Sequence, residues 1–428
     1  MSESRSGEST INTDHQVTPR VRKQPSSGPV TALDRWLATK ILQTTGQPPF
    51  SIQLWDGSEV SLNQAILHRL VITDRQALWL LLFDPEYHFG DLYATRRVML
   101  QGDLVSFLEM TYRAIGASES NLLLKTIGAI QHRPRLNTLH GSRENIHHHY
   151  NIGNPFYELW LDREAMQYTC AYFPHPAMTI EQAQVAKLHH VARKLQLRPG
   201  QTVVEAGCGW GGLARFFAKH YGVRVKAYNI SHEQLVYARD KARAQGLDDM
   251  VEYVEDDYRN ITGTYDVFVS VGMLEHVGRQ QYRTLGQVID RCLREDGRGL
   301  VHSIGRNKPG LMNAWIEKRI FPGAYPPSLK EMMDIFEPNG LSVLDVENIR
   351  LHYARTLEQW LARFDENEQT VKEMFDDSFV RAWRLYLAGS IAAFTTGQLQ
   401  LFQVVFNRAT SNELPWSRAH LYAEGHDA

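Results

Sequence analysis

A chain of 428 residues, 43% apolar and 22% charged, carries enough material for a buried core in two or three domains, which excludes a fibre or a disulfide scaffold. A formal charge of −2 argues against a global polyelectrolyte role, and three scattered cysteines, Cys170, Cys208 and Cys292, exclude a cysteine framework and suit a reducing cytoplasm. No stretch reaches the roughly 18 apolar residues a bilayer span needs, and the N-terminus lacks the apolar core of a signal peptide, so a cytoplasmic location is expected.

Residues 1–28, rich in Ser, Thr, Pro and charge, read as a disordered tail. An amphipathic helix follows over Val30 to Thr45, with Leu33, Trp36, Leu37, Ile41 and Leu42 at helical spacing. Short strands are expected at Phe50–Trp55, at Val60–Leu62 after a turn at Asp56-Gly57, and at Ile66–Ile72. Asp84-Pro85 through Gly90 reads as a loop, and Gly102-Asp103-Leu104 opens a helix to Ala114. These elements form a small α+β domain over 29–116, and a basic linker over 117–144 leads to a second domain, 145–428. The run His147-His148-His149 invites a metal reading. Neighbouring side chains on a helix or strand diverge, so the three do not readily converge on an ion and no metal is expected.

A loop follows at Met166–Phe173, then a helix over Ile180–Leu195 that stops at Arg198-Pro199-Gly200. Residues 201–215 read as strand, tight turn, helix: Val203 and Val204 suit a buried strand, and Gly207, Gly209, Gly211 and Gly212 permit positive φ and close approach of a ligand. The same glycines satisfy the dinucleotide fingerprint. Glu205, just before the turn, favours instead a ligand that carries an ammonium group, such as S-adenosylmethionine (SAM). Further alternation follows: strand 223–228, helix 231–244, strands 251–254 and 265–271, helix 280–293 and strand 299–304. That pattern predicts a doubly wound α/β sheet, with ligands at the carboxyl ends of its strands. Those ends carry Glu205, Asn229, Asp256-Asp257, Gly272–Glu275 and His302–Gly305. Residues 308–374 add helices and a candidate lid at Phe321–Pro327, and Gln398–Asn407 alternates like an antiparallel edge strand.

The motifs His149–Tyr157, Gln167–Phe173, Glu205–Gly212, Asp257-Tyr258-Arg259, Glu275–Gly278, His302–Gly305, Phe321–Tyr325 and His352–Leu357, in this order over about 50–408, resemble the cyclopropane-fatty-acyl-phospholipid synthase family. The resemblance implies a class I methyltransferase fold, a Rossmann-like seven-stranded sheet, preceded by the N-terminal domain of the bacterial membrane-acting members. It implies transfer of a methylene unit from SAM to the cis double bond of unsaturated acyl chains of membrane phospholipids. By motif, a bound bicarbonate serving as base falls to Cys170, Glu275, His302, Ile304 through its backbone, and Tyr353. The cofactor falls to Tyr150, Glu205, Gly207, Gly209, Gly211, Asn229, Gln234, Asp257 and Tyr258. Where the family has Tyr-Asp this chain has Tyr150-Asn151, which removes a charge beside the expected cofactor site.

An alkene is a feeble nucleophile, so the reaction needs a cationic methyl donor in a dry site, and Tyr168, Tyr172, Phe173 and Tyr353 are candidate aromatic faces for the carbocation. The expected partners are membrane phospholipids at the inner face of the cytoplasmic membrane and a second copy of the chain, with no nucleic acid. Two further readings stand beside this one: methyl or methylene branching of the same lipids without ring closure, and a non-catalytic lipid-binding protein with a relict SAM pocket.

Overall fold

The computed structural model describes residues 28–117 and 152–422. The N-terminal unit holds a four-stranded sheet of β1 (Phe50–Gln53), β2 (Glu59–Val60), β3 (His68–Ile72) and β4 (Val98–Gln101), in the order β2-β1-β3-β4 with β1 and β3 parallel. Its helices run over Ala32–Thr44, Arg75–Phe83, Pro85–Ala94 and Leu104–Ala117. Residues 84–90 are therefore not a loop. The Asp84 side chain accepts from Tyr87 N–H at 3.1 Å, and Pro85 occupies the first helical position, where its missing N–H costs nothing.

The larger sheet contains β5 (Thr202–Ala206), β6 (Arg224–Asn229), β7 (Val251–Glu255), β8 (Tyr265–Val271), β9 (Leu293–Gly305), β10 (Leu341–Asn348) and β11 (Gln400–Arg408), ordered β10-β11-β9-β8-β5-β6-β7. β9, β8, β5, β6 and β7 are parallel, and β11 is antiparallel to both of its neighbours. This is the expected seven-stranded α/β sheet with one correction. The last strand is not at the edge: β11 lies between β9 and β10 and is buried along nearly all its length, while β10 takes the edge within a segment expected to be helical. Strand order reverses at β5, which puts the ligand crevice at its carboxyl end.

Two apolar clusters occupy the faces of this sheet. A third runs through both parts of the molecule, joining Leu37, Leu78 and Phe107 of the N-terminal unit to Trp160, Trp383 and Leu387, and it includes Cys170, Trp210 and Tyr353. Helix Asp377–Thr395 sits at its centre. At its start Arg96 grips Asp377 through two hydrogen bonds of 2.7 and 2.9 Å. Nearby, Gly90 lets the Trp315 indole lie flat against helix Pro85–Ala94, and Trp315 Nε1 donates to Asp91 at 2.9 Å. No helix among the described residues is long and apolar enough to cross a membrane.

Candidate active site

The glycine turn leaves β5 with Gly207, Gly209 and Gly211 all at positive φ (83°, 51° and 74°), the left-handed region that the sequence requires glycine for. Two strands hold it. Gly207 and Cys208 both donate to Tyr228 O at the end of β6 (2.9 and 3.1 Å), and the Tyr253 hydroxyl of β7 donates to Gly211 O at 2.9 Å. A Cβ at Gly211 would strike that same hydroxyl, and one at Gly207 would meet the Met273 side chain at 2.8 Å. At Gly209 a Cβ would meet nothing within 4 Å, so the middle of the turn faces open space.

Glu205, the last polar residue before the turn, is buried, and its Oε2 has no hydrogen-bond partner among the described residues. Burial pushes its carboxyl up to about 8, against the pull of Lys187 and Arg215. Lys187 is fully buried and donates to Gln167 Oε1 and, at 3.1 Å, to Thr169 Oγ1. Sequence reasoning missed it. The signal was present: Ile180, Ala183, Gln184, Lys187, Leu188 and Val191 share one face of their helix, so a lysine stands on the stripe that faces the core.

At the next strand end Asn229 donates to Gly209 O at 3.2 Å and to Gln234 Oε1 at 2.8 Å, tying two of the expected cofactor residues to the turn and leaving Gln234 Nε2 without a partner among the described residues. Asp257 follows β7, and both its oxygens are taken by the Arg259 guanidinium (2.7 and 2.9 Å), so what it offers a ligand is a neutralised pair. The Tyr258 hydroxyl beside it is buried without a partner among the described residues. Tyr150 and the three-histidine run lie outside the described residues. Among the described residues no cluster of His, Cys, Asp and Glu could hold a metal.

Of the candidate catalytic residues, Glu275, His302 and Ile304 stand at the ends of β8 and β9. Glu275 is buried in the short helix after β8, and its Oε1 accepts from Ile304 N–H at 2.5 Å while Oε2 has no partner among the described residues. Burial raises its carboxyl to about 7. His276, beside it, is held down to about 4 by burial alone, so it is neutral at pH 7. His302 is buried on β9; its Nδ1 lies 3.0 Å from Gln403 Nε2, its Nε2 has no partner among the described residues, and burial and then Lys187 hold it well below the usual imidazole range. An amide donor at Nδ1 places the imidazole proton on Nε2. Cys170 is fully buried and its thiol is pushed up by burial, so it is a neutral S–H and not a thiolate nucleophile. Thr356 accepts from Ala171 N–H at 3.0 Å and so joins the Cys170 segment to the helix that carries Tyr353.

Aromatic rings line this end of the molecule. Tyr168 lies 5.2 Å from Trp160 and 5.4 Å from Trp360, its hydroxyl is 2.9 Å from that of Tyr386, and Tyr353 lies 4.7 Å from Phe394. Tyr172 differs from the expectation for it. Both its faces are covered, by His190 at 4.1 Å and His352 at 4.9 Å, while Phe173 N–H donates to His352 Nδ1 at 2.9 Å.

An open glycine cradle with an unpartnered buried carboxylate oxygen just before it fits a ligand that carries an ammonium group, and Asn229 and Gln234 add amide groups for the hydroxyls of a nucleoside. The comparisons with known proteins agree. The family model described as mycolic acid cyclopropane synthetase matches residues 138–404. The chain is 33% identical over 391 residues to a probable fatty acid methyltransferase of Pseudomonas putida, a match that covers 87% of this chain and 96% of the relative. It is 40% identical over 271 residues to the cyclopropane-fatty-acyl-phospholipid synthase of Escherichia coli, covering 63% of this chain and 69% of that one. The solved mycolic acid cyclopropane synthase CmaA1, complexed with SAH and CTAB, superposes with a TM-score of 0.59 at 28% identity, covering 62% of this chain and 98% of its own. MmaA2 from Mycobacterium tuberculosis gives the same TM-score at 26% identity, covering 62% and 97%. The chain belongs to the mycolic acid cyclopropane synthetase family and is a SAM-dependent methyltransferase.

Proposed function

We propose that this enzyme adds the one-carbon unit of SAM to the cis double bond of unsaturated acyl chains in membrane phospholipids and closes a cyclopropane ring. SAM supplies an electrophilic methyl group. The observation that carries the reading is the buried acid Glu275, fixed by Ile304 N–H, with one oxygen that has no partner among the described residues and a carboxyl raised to about 7, beside the rings of Phe321 and Tyr168. Such a site suits the loss of a proton from carbon beside a cationic centre, because aromatic faces stabilise the cation and burial excludes the water that would quench it. Glu275 Oε2 and the Nε2 of His302 are buried polar atoms with no partner among the described residues, and with the Cys170 segment and Tyr353 they are the groups that would hold bicarbonate, whose chemistry there is that of a base. Ile304 N–H, assigned to the same anion by motif, is engaged by Glu275, so its share in holding the anion would pass through that carboxylate.

A second reading has its own support, since a relative matched along 87% of the chain is named a probable fatty acid methyltransferase: the product is a methyl or methylene branch, with no ring. The two readings share every residue described above and differ in where the proton leaves. Vesicles of a monounsaturated phospholipid, incubated with the purified chain and SAM, are expected to gain 14 mass units per acyl chain, roughly the CH₂ increment expected for a one-carbon transfer. Upfield ring-proton signals in NMR mark the cyclopropane, and methyl or exomethylene signals mark the branch. Unchanged vesicles together with methylation of a soluble amine or hydroxyl compound would overturn both readings.

A further inference from the structure

Lys187 is a lysine that the proposed chemistry does not use, buried where an uncompensated charge is expensive. Its ammonium makes two hydrogen bonds, to Gln167 Oε1 and Thr169 Oγ1, both neutral, and among the described residues no carboxylate lies within ion-pairing distance of it. Its two partners touch the ligand crevice from the other side. Gln167 and the backbone of Ala165 press on Gly212, where the glycine turn becomes a helix, and Thr169 Cγ2 would stand 2.7 Å from a Cβ on Gly272, at the end of β8. Gln184, one turn before Lys187, donates to Thr169 O at 2.8 Å, and Asp162 accepts from Ala165 N–H and Gln167 N–H, both at 2.7 Å.

We propose that Lys187 is a positioning residue for the cofactor: it pins the Gln167–Cys170 segment across the carboxyl ends of β5 and β8, and it supplies the positive charge that complements the Glu205 carboxylate. This rests on the reading of Glu205 as the group that receives the ligand's ammonium. The charged and titratable groups facing Glu205 are Lys187 from its helix, Arg215 and Cys208 from the turn and the helix after it, and Tyr253 from β7; Asp162, Cys170 and His302 face Lys187. Of the two cations near Glu205, Arg215 is already committed to Trp210 O at 2.7 Å. Burial draws Lys187 down to about 8 and draws Glu205 up to about 8, so at neutral pH the lysine holds its charge while Glu205 is mostly protonated and gives up its proton when the ligand's ammonium arrives. Without the lysine that ionisation costs more, because the carboxyl is raised further and a larger share of the binding energy goes into removing its proton.

Titration calorimetry of the full chain with S-adenosylhomocysteine, between pH 7 and 9.5 and in two buffers of different ionisation enthalpy, reads both the affinity and the protons released. Lys187→Met is expected to bind at least roughly tenfold more weakly at pH 7 and, above pH 8 where wild-type affinity levels off, to go on recovering and to release more protons on binding than the wild type. Lys187→Gln keeps donors for Gln167 and Thr169 without the charge, and it is expected to show the same pH-dependent loss. Wild-type affinity and pH profile in both variants would overturn the proposal, as would a pH-independent loss that accompanies a lowered unfolding temperature, which is what a merely structural lysine gives. If neither variant folds, the wild type decides: proton release at pH 7 supports the proposal and its absence overturns it. Undiminished affinity in Glu205→Gln would instead remove Glu205 from the site, and because no lipid enters the assay the acyl-chain reading is untouched by any of these results.

Discussion

A methyl group at Gly209 would stand in open space, yet its φ of 51° is one that alanine adopts only at a cost of about 1 to 2 kcal/mol, and the methyl would project from the middle of the turn that cradles the cofactor. Gly209→Ala is therefore expected to fold, with an unfolding free energy lowered by no more than that amount, and to lose S-adenosylhomocysteine affinity out of proportion; calorimetry beside a denaturant titration separates the two. Glu275 permits a paired test. Glu275→Gln keeps the shape and loses the charge, so turnover on vesicles is expected to fall by roughly 10² to 10⁴-fold with cofactor affinity nearly intact. The same substitution changes stability in a direction fixed by linkage. The Glu275 carboxyl is raised from 4.5 to about 7, so its contribution is present at low pH and is lost as pH rises toward and through 7. Between pH 4.5 and 8 the wild type should lose on the order of 2 to 3 kcal/mol relative to the glutamine variant, and equal pH profiles in urea unfolding would contradict the burial of this carboxyl. The order of the motifs along the chain singles out Glu205, Glu275 and His302 as candidates from the sequence alone, and the structure buries all three at the ends of β5, β8 and β9. Lys187 is not legible in that way, because a charged residue on an apolar stripe signals only that it is buried, and its partners Gln167 and Thr169 come from a loop whose path no periodicity encodes.

Among elements, those with a strong repeat were legible nearly to the residue: the helix Ile180–Leu195 has a Thr179 capping box and a left-handed Gln196 at its end, and β8 is a mostly apolar strand buried at every position but Asp266. Failures came where local chemistry competed. Asp84-Pro85 starts helices as readily as it starts turns, and burial of Leu92, Tyr93 and Ala94 decided for helix. β10 reads poorly because it is the sheet edge, with side chains only half buried along most of its length, so its alternation is blurred and pairing with β11 alone identifies it. The close approach of helix Pro85–Ala94 to Trp315 carries a prediction at this scale. Gly90→Ala places a methyl within the indole, and helix propensity favours alanine, so a purely local view expects stabilisation. The packing predicts the reverse, a loss on the order of 1 to 3 kcal/mol with weakened Trp315–Asp91 bonding, measured as a lowered midpoint in thermal or urea unfolding.

For the molecule as a whole, the shared apolar cluster bears on whether residues 29–116 form an independent module. The cluster places Leu37, Leu78 and Phe107 in one core with Trp383 and Tyr353, so removal of the N-terminal unit strips the outer face of helix Asp377–Thr395 and the wall behind the catalytic end. Deletion of residues 1–116 is expected to cost cofactor binding and vesicle activity together, with aggregation visible by size exclusion; a monomeric fragment that binds S-adenosylhomocysteine normally would show that the unit is a separable lipid-presenting domain. The same interlock has a consequence for biosynthesis. The first strands and helices to leave the ribosome bury their apolar faces against a helix that begins far along the chain, as the Arg96–Asp377 separation of 281 residues measures, and β11, which joins β9 to β10, emerges later still. Neither part can complete its core during translation. The nascent chain must wait with apolar surface uncovered until its C-terminal helix and strand are made, so its yield in the cell should depend on chaperone capacity far more than its final stability suggests.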